Sequence, residues 1–386
     1  MKFYLIICLS LLLGTKVYSK SIISCYWNSW SVYRVGRGQS SVRDIDPSLC
    51  THLIYNTATI GGRNEVTPAD PWNDLKDGGG KGNYKNFIEL KEYNKDLKIL
   101  IAVGGWNTGS VKFSKLSSDS KKRKVFIDSA LNLARKHNFD GVNINWQFPT
   151  RRGGNPEDKE NFSLLIKEMY EVFKSNKLIL TIDMSASPDI IADAYDLGVI
   201  SRNVDFIHVT AFDYWGYWEP ITGFPAALFA RVKDIDVRLN VNYTVSHLKS
   251  LGVDPKKIVI IVSSTSQTWT LDDSSDTSVG AKATKPGNKG SYTHHPGILS
   301  YYETCKLLMQ DGWTIKYDPE AKVPYAYRGD QWIGYDDVKS VSEKVKYVKN
   351  GGLAGLGLNS LDHDDFRDLC DNDIYPLLTT INDVHK

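Results

Sequence analysis

Asn143, Asn145 and Gln147 stand at alternate positions in the run Phe139-Asp140-Gly141-Val142-Asn143-Ile144-Asn145-Trp146-Gln147-Phe148-Pro149. On an extended strand successive side chains point to opposite faces, so the three amides share one face and Val142, Ile144 and Trp146 share the other. An amide donates and accepts hydrogen bonds but has no proton to transfer at neutral pH and no charge. Such a row suits the holding of polar groups and does not suit acid–base work. As plain filling for a protein interior, three amides in line are an odd choice.

The elements that must carry this row are legible as short apolar runs alternating with amphipathic stretches, the mark of an α/β architecture with a parallel sheet. Strands are predicted over residues 21–26, 51–55, 97–103, 141–148, 178–185, 204–212, 258–263 and 355–358. Helices are predicted over 120–137, with Val125, Phe126, Ala130, Leu133 and Ala134 on its apolar side, over 158–176 and over 338–350. About eight strands alternating with helices predict a TIM (β/α)8 barrel, in which functional groups gather at the C-terminal ends of the strands. Asn143, Asn145 and Gln147 fall near such an end. A doubly wound open sheet is the competing fold, but no glycine-rich phosphate loop follows the first strand. Residues 267–335, rich in Tyr, Gly and polar residues, read as an α+β subdomain inserted into one βα connection.

Composition and charge narrow the setting. The 386 residues carry a formal net charge of +2, which points to neither a nucleic-acid nor a membrane partner. Residues 1–19, with Lys2 followed by an apolar run and then small residues at Val17-Tyr18-Ser19, read as a secretory signal peptide. The organisation expected is therefore signal peptide 1–19, barrel 20–266, insertion 267–335 and barrel 336–386. Without 1–19, which holds Lys2, Lys16, Cys8 and no acid, the formal charge is zero. Four cysteines remain: Cys25, Cys50, Cys305 and Cys370. In an oxidising compartment they predict two disulfides, and their order alone permits three pairings. Asn161 and Asn242 head glycosylation sequons. His294-His295 lacks a third ligand for a metal site, Lys121-Lys122-Arg123-Lys124 reads as a solvated helix start, and no nucleophile elbow is present. Neither a metal nor a cofactor is expected.

The segment around the amides resembles the fourth-strand motif of glycoside hydrolase family 18, the chitinases: Phe-Asp-Gly-x-Asp-x-Asp-Trp-Glu-Tyr-Pro. Here each of its last three acids is replaced by the matching amide. Further stretches resemble the family in the same order: Cys25-Tyr26 with Trp30, Asp44-Ile45-Asp46-Pro47, Cys50-Thr51-His52, Gly104-Gly105-Trp106-Asn107, Pro324-Tyr325-Ala326, Gln331-Trp332-Ile333-Gly334-Tyr335 and Leu361-Asp362-His363-Asp364-Asp365-Phe366. The resemblance spans nearly the whole chain after residue 19. It implies the pairings Cys25–Cys50 and Cys305–Cys370.

The resemblance also implies a substrate and a loss. Family enzymes cleave β-1,4-linked N-acetylglucosamine with the sugar's own acetamido oxygen as nucleophile, a glutamic acid protonating the leaving oxygen and an aspartate steadying the acetamido group. Gln147 and Asn145 stand at those two positions, so the expectation is no hydrolysis. Neutral amides there also relieve the repulsion of stacked carboxylates. Other family positions differ too: Asn359 stands where a Trp floors the central subsite, Phe212 where a Tyr supplies a hydroxyl, Thr57 for a Phe, Thr210 for a Met and Thr265-Ser266-Gln267 for Tyr-Gly-Arg. Trp30, Trp106, Asn107, Asp213, Trp218 and Glu219 match sugar-lining positions, with Gly104, Gly105 and Phe148 beside them. The resulting expectation is a secreted, catalytically inactive, monomeric chitinase-like protein binding N-acetylglucosamine-containing glycans weakly or not at all in a remnant cleft. The alternative is a scaffold or signalling protein that acts through protein partners.

Overall fold

A computed structural model of the protein describes residues 21–370 and 373–385. The predicted signal peptide lies outside the described residues. Eight parallel strands form the centre: β1 (Ile22–Asn28), β2 (His52–Ile60), β3 (Lys98–Gly104), β4 (Gly141–Asn145), β5 (Ile179–Ser185), β6 (Phe206–Thr210), β7 (Ile258–Ser263) and β8 (Gly355–Asn359). Each pairs with the next, and β8 pairs with β1, so the sheet closes on itself as a TIM barrel. Closure leaves no edge, and parallel pairing sends every strand's C-terminal end to the same rim.

Two apolar layers hold it. Tyr26, Ile54, Leu100, Ala102, Val259 and Ile261 fill the inside of the barrel. Outward residues such as Val142, Ile144 and Trp146 pack beneath the surrounding helices. Ser120–Lys136 shows why a helix forms there. Asp119 caps it by accepting from the backbone N–H groups of Lys121 and Lys122, and Phe126, Ile127, Ala130, Leu133 and Ala134 are buried. Val125, placed on the apolar side by sequence pattern, is instead exposed, and Ile127 takes the inward position. The basic start of this helix is only partly solvated: Arg123 is buried and paired with Glu168, while Lys124 pairs with Asp128. No helix among the described residues is long and apolar enough to cross a membrane.

β4 is shorter than its predicted span of 141–148. Its pairing with β5 ends at Ile144↔Ile182 and its pairing with β3 at Gly104↔Asn145, so Trp146 and Gln147 leave the ladder. β6 likewise stops short of 204 and 212. The Asp205 carboxylate there accepts from the Leu180 N–H.

A second, antiparallel sheet begins two residues after β7. Its central strand, Thr265–Thr270, pairs with Lys285–Pro286, Ile298–Ser300 and Gln331–Gly334; Val323–Arg328 and Thr314–Asp318 continue outward. Trp269, Trp332 and Phe224 dominate its own small core. The helix Tyr301–Leu308 follows, started by a reciprocal cap between Ser300 and Glu303. Cys305 on that helix is bonded to Cys370, and Cys25 on β1 to Cys50.

Candidate functional site

The site residues follow the C-terminal rim. Trp30 comes just after β1, Trp106 and Asn107 after β3, Gln147 and Phe148 after β4, Phe212 and Asp213 after β6, and Asn359 ends β8. Trp30, Trp106 and Trp218 are 47%, 61% and 52% exposed, unusual for rings of that size in a folded chain. Asn107 is also exposed, while Phe148, Phe212 and Asn359 are half-buried. Cys25, Cys50, Cys305 and Cys370 serve the fold instead, and Asn161 and Asn242 lie on the helices Asp158–Ser175 and Val241–Ser250.

Inside the barrel Asn143 is fully buried. Its Nδ2 donates toward Thr181 Oγ1 (3.0 Å) and Asp183 Oδ1 (2.9 Å) and lies 3.2 Å from His208 Nδ1. The Tyr26 hydroxyl donates to Asp183 Oδ1 at 2.5 Å and sits 2.8 Å from His208 Nδ1. Burial, reinforced by the Asp183 charge, holds the Tyr26 phenol well above its ordinary pKa. Asn143 is thus tied into a polar knot and contributes little to the rim.

Asn145 and Gln147 stand at the C-terminal end of β4, Asn145 buried and Gln147 half-buried. Gln147 Nε2 donates to Asn145 Oδ1 at 2.8 Å, so the two are bonded to each other. The end of β3 holds them from the side: the Gly105 N–H donates to the Asn145 carbonyl at 2.8 Å. Gly104 has φ +114°, and a Cβ there would stand 2.3 Å from the same carbonyl oxygen. Only glycine admits that approach.

Asp213 opens onto the cleft but is enclosed by protein around its carboxyl, and this desolvation pushes its pKa up to about 6 against the pull of the Gln267 amide. Gln267 Nε2 donates to Asp213 Oδ1 at 2.8 Å. The Phe212 ring packs toward the barrel interior.

Two features escape sequence reasoning. The Arg152 guanidinium lies 3.5 Å from the centre of the Trp106 ring and donates to the carbonyls of Trp106 and Gln147 at 2.8 and 3.1 Å. The partners are 46 residues apart, so no local pattern links them. Tyr33 and Trp72, both exposed, flank the Lys81 ammonium at 4.8 and 4.9 Å. The Tyr33 hydroxyl donates to Asp70 at 2.5 Å. Solitary aromatic residues in connecting segments carry no periodic signal to distinguish them from core.

The rim therefore offers exposed aromatic faces, amide donors and acceptors, and one carboxyl of raised pKa. These are the groups that recognise uncharged, hydroxyl-rich rings. Comparison with known proteins gives the chain its relatives. The family model for glycosyl hydrolases family 18 matches residues 22–364. Probable chitinase 2 of Drosophila melanogaster is 35% identical, over 94% of this chain and 80% of the fly protein. The Group IV chitinase of Ostrinia furnacalis, solved in complex with allosamidin, matches with a TM-score of 0.91 at 37% identity, over 94% of this chain and 98% of that one. Human YKL-39, described as a pseudo-chitinase with retained chitooligosaccharide binding properties, matches with a TM-score of 0.87 at 34% identity, over 94% and 99%. With the motifs in order along one closed barrel and the family model covering nearly all of it, the chain belongs to glycosyl hydrolase family 18.

Proposed function

We propose that this protein is a secreted, catalytically silent member of its family that binds N-acetylglucosamine oligomers through the rim cleft. The observation that carries the silence is the bond between Gln147 and Asn145. A general acid at position 147 would contribute about 10²–10⁴ in rate, and an amide donating to its neighbour has no proton to transfer. A carboxylate at position 145 would stabilise positive charge developing on the sugar, and an amide supplies none. Both demands fail together.

Binding requires neither. Trp30, Trp106 and Trp218 present exposed faces for pyranose rings and Asn107 supplies an amide, with Gly104, Gly105, Phe148, Phe212 and Asp213 at or just after the ends of β3, β4 and β6. That YKL-39 pairs loss of activity with retained chitooligosaccharide binding supports this combination. Two disulfides support an oxidising destination. The sequons at Asn161 and Asn242 are taken as glycosylation sites. The Asn242 side chain accepts at Oδ1 from the Tyr347 hydroxyl at 3.1 Å. One observation favours the second reading, a scaffold acting through protein partners: half-buried Asn359 offers no aromatic floor for the central sugar.

Tryptophan fluorescence titrated with N-acetylglucosamine oligomers, with cellulose oligomers as control, separates the two readings. Binding in the cleft gives a saturable change specific to the amino sugar and abolished by Trp106→Ala. A flat response from folded protein up to millimolar ligand leaves the scaffold. The same oligomers should remain uncleaved by the native chain. Restoring Asn143→Asp, Asn145→Asp and Gln147→Glu together then asks whether acids alone are missing.

A further inference from the structure

On the face of the second sheet turned away from the cleft lies a cavity of about 250 Å³. Its position follows from strand alternation. Along Thr265–Thr270 neighbouring side chains face opposite ways, and Gln267 reaches the cleft residue Asp213. Thr268 therefore faces the other side, beside its register partner Ile333. The helix Tyr301–Leu308 closes that side with Leu307 and Lys306, and Trp313 stands at its far end.

Two polar atoms of residues that line this cavity lack partners among the described residues. Thr268 is 2% exposed, and its Oγ1 is buried without a hydrogen bond; so is Trp313 Nε1. Buried donors left open call for an explanation, and a ligand bearing acceptor oxygens is a direct one. The lining charge points the same way. Lys289, Lys306 and Arg328 all border the cavity, and none has a carboxylate within ion-pair distance among the described residues. Arg328 lies over the Trp313 ring at 5.1 Å and donates to the Gln310 side chain and the Asp311 carbonyl. Glu303 is the one acid in the lining, and both its oxygens already accept, from the N–H groups of Tyr292, Thr293 and Ser300 and from the Ser300 hydroxyl.

We propose that this cavity is a second binding site, for a small organic anion. Lys289, Lys306 and Arg328 hold its carboxylate or phosphate ester. A ring-sized body rests against Trp313, Leu307 and Ile333, with its oxygens meeting Thr268 Oγ1 and Trp313 Nε1. An uncharged sugar forms no ion pair with the three cations, so the site differs in chemistry from the rim cleft and stands independently of it.

Calorimetric titration of the full chain with glucuronate and glucose 6-phosphate tests this, with glucose and inorganic phosphate as controls. Either acid or both should bind, glucose should not, and inorganic phosphate should bind at least tenfold more weakly. The double variant Lys306→Gln/Arg328→Gln should weaken binding at least tenfold. Trp313→Phe, which keeps an aromatic ring but loses the N–H together with part of the indole surface, should weaken it several-fold with the thermal melt preserved. Trp106→Ala, in the other site, should leave it unchanged. Silence of both acids at millimolar concentration overturns the proposal. So do equal binding of glucose or of inorganic phosphate, indifference to the double variant, and loss of binding in Trp106→Ala.

Discussion

Arg152 shows how a single side chain can prepare a surface without being the surface. Its guanidinium covers part of the Trp106 ring, yet that ring is still 61% exposed, so one face remains open. The two carbonyl bonds fix the guanidinium between the β3 and β4 ends. A cation–π contact at an exposed site is worth about 0.5–1 kcal/mol. If it holds the indole upright for a sugar, Arg152→Ala should weaken N-acetylglucosamine oligomer binding by about 2–5-fold, the same energy read as affinity. Arg152→Lys should recover only part, because an ammonium lacks the planar fork. Fluorescence titration decides: a rise in affinity would mean that Arg152 obstructs the ring, contrary to this view. At this scale the sequence is uneven. Asn145 and Gln147 are legible because they stand in a recognisable frame. Arg152 is not, since its ring partner Trp106 lies 46 residues away, and Trp72 is not, since a solitary aromatic residue in a connecting segment carries no periodic signal.

At the scale of elements, apolar runs located all eight barrel strands, because buried parallel strands leave a strong compositional mark. Their ends were less legible. β4 ends at Asn145 because its neighbours stop pairing, a fact held in β3 and β5 and absent from its own residues. The helix Tyr301–Leu308 presents another non-local fact, its bond through Cys305 to Cys370, 65 residues on. Cysteine order left three pairings open, and family resemblance singled out the two found. In the chain-entropy account, closing a loop of that length restricts the unfolded chain by about 4 kcal/mol, against about 3.5 kcal/mol for the 25-residue separation of Cys25 and Cys50. The double variant Cys305→Ala/Cys370→Ala should lose stability of that order in urea unfolding while keeping its far-ultraviolet dichroism. A loss under 1 kcal/mol would show that residual contacts in the unfolded chain already restrain this loop.

Across the whole molecule, buried ionisable groups pull the pH dependence of stability in opposite directions. Burial lowers His52, with help from the His208 charge, and lowers His363, with help from Arg34, both to about 4. Between about pH 4 and 6.5 the unfolded chain protonates these histidines and the folded chain does not, so they make stability rise with pH. Burial raises Asp74 to about 6 and Asp364 to about 7, in spite of the Tyr55 hydroxyl at the first and backbone N–H groups at the second. Over the same range the folded state holds those two protons and the unfolded state does not, so they make stability fall with pH. Asp213, also raised to about 6, acts the same way, so three protons held by the folded state stand against two held by the unfolded chain, and the opposing contributions largely offset one another. Removing one of these acids should expose its own share. In Asp364→Asn, stability relative to the parent should climb as pH rises from about 4 to 7, at up to ~1.4 kcal/mol per pH unit for one proton. Any constant penalty from the weakened bond to the Leu378 N–H would shift the whole curve without tilting it. Urea midpoints of parent and variant at pH 4.5 and 7 measure the tilt directly. Parallel profiles would mean that Asp364 is ionised throughout, with its backbone donors outweighing its burial.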